Sequence, residues 1–124
     1  MPRIPALKEK VSRLSRSIAV IYARYSSDTQ REASIEDQLR ECHKWADDHG
    51  VKVIHEYCDY AISGRTDDRP QFQRMIADAE QGLFTAVIVY QTSRFARNRF
   101  DAAMYKHRLN KSGVSIHYAS MEIP

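Results

Sequence analysis

Two short runs, IAVIYA at residues 18–23 and FTAVIVY at 84–90, are apolar without alternation and rich in β-branched and aromatic residues. That is the pattern of strands buried on both faces, which requires a sheet covered by helices on each side. The stretches around them fit. Behind Ser34, a candidate N-cap, Ile35, Leu39, Cys42, Trp45 and Ala46 recur at helical spacing, and Gly50 lies just past the end. A second strand is expected over about Val51–Tyr57. Asp68, Arg69 and Pro70 open a second helix with the apolar stripe Phe72, Met75, Ile76 and Ala79, closed by Gly82. A third helix starts near Asn98, with Asp101 three residues on, and ends at Gly113 before a fourth strand, Val114–Tyr118. Strands alternating with helices imply βαβ units with right-handed crossovers. The expected fold is an α/β, three-layer domain with a mostly parallel sheet of four to five strands.

At 124 residues the chain has room for one core, assigned to residues 17–124, and residues 1–16 read as a basic tail. No apolar run approaches the roughly 18 residues of a membrane span. Pro2, Arg3 and Pro5 interrupt the place of a secretory h-region, so a cytoplasmic protein is expected. Cys42 and Cys58 form no C-x-x-C pair and are taken as reduced. With His43 and His55 they match no zinc spacing, so no metal is expected.

A parallel sheet suggests nucleotide chemistry first, because phosphates bind where Gly-rich loops meet helix N-termini. The chain has four glycines, and Gly50, Gly82 and Gly113 serve as helix stops. Gly64 alone cannot make a G-x-G-x-x-G motif or a P-loop, and no serine has the neighbours of a nucleophile elbow. No nucleotide or other cofactor is expected.

Three polar segments remain, each following a strand. At the carboxyl end of the first lies Tyr22-Ala23-Arg24-Tyr25-Ser26-Ser27-Asp28-Thr29-Gln30. In extended chain Tyr22, Arg24 and Ser26 share one side, so Arg24 and Ser26 can address one substrate. After the second comes Ser63-Gly64-Arg65-Thr66-Asp67-Asp68-Arg69, and after the third Gln91-Thr92-Ser93-Arg94-Phe95-Ala96-Arg97-Asn98. A parallel sheet brings all three to one edge, with Arg24, Arg69, Arg94 and Arg97 around Ser26. A polar turn is the blander reading of any one segment. Guanidinium groups grip phosphate oxygens bidentately, keep their proton, and stabilise charge that grows on a transferring phosphoryl group. A serine in line could attack a phosphodiester, and the phosphoserine would retain the bond's energy for rejoining without ATP.

Charge is concentrated in two places. Residues 1–16 carry Arg3, Lys8, Lys10, Arg13 and Arg16 against Glu9, and residues 91–111 carry Arg94, Arg97, Arg99, Lys106, Arg108 and Lys111 against Asp101. A solvated helix face is the commoner meaning of such a run; a polyanion partner is the alternative.

On these motifs residues 17–123 resemble the catalytic domain of the serine recombinases, the resolvase/invertase family and its large-integrase branch. Its Y-x-R-x-S stands here as Tyr22, Arg24 and Ser26, and the glutamine of its S-[IL]-x-x-Q run as Gln38. Its second-loop pattern appears as Asp59, Ser63, Gly64, Asp68 and Arg69, and its D/S-R-[LF]-x-R signature as Ser93 to Arg97. The resemblance implies a resolvase-like fold, DNA as partner, and Ser26 as the nucleophile that becomes joined to a DNA 5′-phosphate. It implies that Arg24, Arg69, Arg94 and Arg97 hold the scissile phosphate, while Asp68 and Gln38 orient these groups. It also implies self-association as dimer and tetramer, no metal or nucleotide, and an oligomerisation helix and DNA-binding domain beyond Pro124. Many small resolvases carry Asp where this chain has Ser93, so an acid/base role for that carboxylate does not carry over. The longer loop between Ser26 and Gln38 favours the large branch. Two other readings stay open: a catalytically silent DNA-binding or assembly domain, and a phosphohydrolase or phosphotransferase acting on a small phosphoester. Protein joined to a DNA 5′ end would separate all three.

Overall fold

The computed structural model describes residues 18–26, 34–61, 69–91 and 99–120, the side chains of Ser26 and Ala61 excepted. Among them are four strands, β1 (Ile18–Ser26), β2 (Lys52–Ala61), β3 (Ala86–Val89) and β4 (Ser115–Tyr118), and three helices, α1 (Ile35–Asp48), α2 (Pro70–Glu80) and α3 (Arg99–Lys111). The strands pair in parallel in the order β2-β1-β3-β4. After β1 the chain passes first to β2 on one side and then to β3 on the other. The order therefore reverses at β1, and ligands of open α/β sheets bind at the carboxyl ends of strands at such a point.

Side chains of β1 alternate between two cores. Ala19 and Ile21 pack with Cys42 and Ala46 of α1 and with Ala86 and Ile88. Val20 and Tyr22 pack on the other face with Phe72, Met75, Ile76 and Ala79 of α2 and with Tyr105 and Leu109 of α3. Both faces of β1 and β3 are thus covered, which is why their sequences are apolar without alternation.

Local signals place the helix ends. The Ser34 hydroxyl accepts from the Asp37 amide at 3.1 Å and caps α1. Beyond α1 and α3, Gly50 and Gly113 adopt φ of 66° and 81°, a conformation that a Cβ disfavours. Two expectations need correction. β1 runs three residues past Ala23, because β2 continues beside it to the pair Ser26 and Ala61. Arg24, Tyr25 and Ser26 are therefore strand residues rather than a loop. β2 likewise runs past Tyr57 to Ala61, since pairing along β1 outlasts the apolar pattern.

Candidate active site

The site is assembled around Asp59. This carboxylate is 4% exposed and accepts three hydrogen bonds: from the Tyr22 hydroxyl at 2.9 Å and from the Gln71 and Phe72 amides, each at 3.0 Å. The two amides belong to the first turn of α2. The residue at its N-cap position, Arg69, makes no capping bond with its own side chain. Asp59 therefore caps α2 from the neighbouring strand, supplying both an acceptor and a negative charge where the helix dipole favours one.

Tyr22 holds its proton firmly. Burial raises its pKa above the ordinary phenol value, and the Asp59 charge adds to this, while Arg69 and Arg24 pull in the opposite direction. The phenol is thus fixed as a donor to Asp59, and both arginines lie close enough for their charge to reach it. The Arg69 guanidinium sits 4.0 Å above the centre of the Phe72 ring, and the residue is 3% exposed. Arg24 stands opposite Asp59 in the β1–β2 register and is partly buried. Its main chain is held by Gln38, which is fully buried: the Gln38 side-chain nitrogen donates to the Arg24 carbonyl at 2.9 Å, and the Arg24 amide donates to Gln38 Oε1 at 3.2 Å. A primary amide here bonds both main-chain groups of one residue, as a neighbouring strand does.

Five of the sequence-derived candidates, Tyr22, Arg24, Gln38, Asp59 and Arg69, thus come together at one end of the sheet. Ser26 ends β1 at the same edge, two residues beyond Arg24. Ser63, Asp68, Ser93, Arg94 and Arg97 lie outside the described residues. Missed by sequence reasoning were the capping role of Asp59 and the placement of Phe72 and Tyr105 as aromatic neighbours of Arg69. No local pattern signals the first, since Asp59 lies 12 residues before Gln71.

Comparison with known proteins gives this arrangement its context. The model of the resolvase N-terminal domain matches residues 19–124. This chain belongs to the resolvase family. It therefore carries a serine recombinase catalytic domain. A Bacillus subtilis (strain 168) protein named as a DNA recombinase is 31% identical over 104 residues, covering 82% of this chain and 20% of the relative. The chain thus spans about a fifth of that relative's length. Among solved structures, the N-terminal catalytic domain of TP901-1 integrase superposes with a TM-score of 0.73 at 31% identity, covering 82% of this chain and 77% of that one. A resolvase family site-specific recombinase from Streptococcus pneumoniae superposes with a TM-score of 0.72 at 30% identity, covering 82% and 71%. The four-stranded parallel sheet with three helices is the fold of these recombinase catalytic domains.

Proposed function

We propose that this resolvase-family domain cuts and rejoins DNA by transesterification, with Ser26 as nucleophile. The Ser26 oxygen attacks the phosphorus of a phosphodiester and loses its proton. The bond to the 3′-oxygen breaks, that oxygen leaves as a hydroxyl, and the 5′-phosphate stays on Ser26 as a phosphoserine. Attack by another strand's 3′-hydroxyl reverses the step and releases the serine. One phosphoester replaces another at each stage, so no ATP is consumed.

The observation that carries this reading is the juxtaposition, at the end of β1, of Ser26 with Arg24 and of Arg69 with the Tyr22–Asp59 pair. The transition state carries more negative charge on phosphorus-bound oxygens than the ground state, and preformed guanidinium groups stabilise that difference. Arg94 and Arg97 complete the set of phosphate ligands in this proposal. Gln38 fixes the main chain from which Arg24 projects, and Asp59 anchors the turn that presents Arg69. DNA is the partner, and the large-integrase branch is the setting favoured by the likeness to TP901-1 integrase. Self-association belongs to the same proposal.

The test uses the protein that carries this domain, incubated with its DNA in chelator without ATP. A covalent adduct mapped by mass spectrometry to Ser26, absent from Ser26→Ala while DNA binding persists, is the expected result. An adduct on Ser27, or cleavage by Ser26→Ala, overturns the assignment.

A further inference from the structure

Arg69 is enclosed by rings from two helices. Its guanidinium carbon lies 4.0 Å from the centre of Phe72 in α2 and 5.9 Å from the centre of Tyr105 in α3. The two rings stand perpendicular, at 89°, with centres 4.7 Å apart. Phe72 is in turn braced edge-on by Tyr22, 5.0 Å away. Tyr105 is 7% exposed, and its ring is held at its far end, where the hydroxyl accepts from the Gln73 side-chain nitrogen at 3.0 Å. The Gln73 main-chain amide donates to the Arg69 carbonyl, also at 3.0 Å. A closed circuit results: the Arg69 main chain to Gln73, Gln73 to the Tyr105 hydroxyl, and the Tyr105 ring back to the Arg69 side chain.

We propose that Tyr105 is a positioning residue for Arg69, its ring and hydroxyl together setting the orientation of the guanidinium over Phe72. The electron-rich face of an aromatic ring attracts a cation most strongly where water is excluded, and Arg69 is 3% exposed. Arginine has several rotatable bonds, so a wall on a second side selects among orientations that Phe72 alone would permit. The wall belongs to α3, which begins two residues after Arg97. The orientation of the second-segment arginine is thereby tied to the helix that follows the third segment. The phosphate consequence rests on the reading of Arg69 as a phosphate ligand; the orientation itself does not.

The test is nuclear magnetic resonance on the 124-residue chain with labelled arginine, the Arg69 Nε–H signal being assigned by its loss in Arg69→Lys. Tyr105→Phe keeps the ring but loses the hydroxyl that Gln73 holds, and exchange of this proton with water should accelerate about threefold. Tyr105→Leu removes the ring, and exchange should accelerate about tenfold. Tyr105→Met provides the same test with an unbranched filler. A merely structural role lowers stability but leaves the exchange rate of folded Leu and Met variants unchanged, and that result overturns the proposal. Should both variants unfold, Gln73→Ala on the exposed side of α2 decides: about threefold faster exchange supports positioning, and unchanged exchange refutes it. Inorganic phosphate is then titrated. An Arg69 signal in the parent that phosphate does not move overturns the phosphate reading alone. A signal that phosphate moves equally in the parent and in Tyr105→Leu overturns the positioning role alone.

Discussion

Replacing Asp59 by alanine tests whether this carboxylate organises the site. The substitution removes three hydrogen bonds at once, from Tyr22 at 2.9 Å and from Gln71 and Phe72 at 3.0 Å each. Loss of a helix cap costs about 1 kcal/mol, and leaving a buried hydroxyl without its acceptor costs about 1–3 kcal/mol. Loss of the negative charge beside the helix N-terminus adds about 0.5 kcal/mol. Asp59→Ala should therefore cost about 3 kcal/mol, roughly a 10 °C fall in Tm for a domain of this size. Urea unfolding followed by circular dichroism measures it, with the change expected in the midpoint rather than the slope. Asp59→Asn keeps an acceptor oxygen but turns an NH2 toward one of its donors, and should lose about half as much. Tyr22→Phe removes one bond and should cost about 1 kcal/mol. In the double variant the two losses should fall short of additivity by about 1 kcal/mol, because they share that bond. A cost below about 1 kcal/mol for Asp59→Ala, or full additivity with Tyr22→Phe, would refute the reasoning.

Gln38→Met preserves the volume of a fully buried residue while removing both bonds to the Arg24 main chain. It should cost about 2 kcal/mol in urea unfolding, and an unchanged midpoint would deny Gln38 its anchoring role. The pKa of His117 is held below its ordinary value by burial first and by nearby His49 second. The unfolded chain therefore binds a proton more readily than the folded one, so this residue's contribution to stability is present above the ordinary histidine pKa and is lost as pH falls through it toward the lowered folded value. His117→Gln should flatten the decline in urea midpoint between pH 7 and pH 5, and parallel declines in parent and variant would contradict the sign. DNA binding by the 124-residue chain should be weak, indifferent to base sequence and steeply salt-dependent, since its basic segments supply phosphate contacts only. A salt-resistant preference for one DNA sequence, measured by fluorescence anisotropy, would count against this.

The sheet, its helices and their ends were legible in the sequence because the signals are local. A strand covered on both faces must be apolar at successive positions, as Ala86–Val89 is. A helix ends where a residue can adopt positive φ, as Gly50 does. Tyr22, Arg24 and Arg69 were legible as neighbours at one edge, because parallel strands carry their ends and the segments that follow them to the same side, whereas Gln38 and Asp59 were named only by the family resemblance. Ser26 was placed there too, by its position at the end of β1. Less was legible in the lengths of β1 and β2, which outlast their apolar runs because each continues to pair with the other.

What tertiary structure alone decided are the contacts between residues remote in sequence. Helix α2 has no side-chain cap at Arg69 because Asp59 caps it, and Asp59 is in place because β2 lies beside β1, where Tyr22 reaches it across 37 positions. The ring of Tyr105, indistinguishable in sequence from any apolar position of a helix, reaches Arg69 because α2 and α3 pack on the same face of the sheet. Periodicity reports which face of an element is buried; which groups meet there depends on the packing of elements that no local pattern encodes.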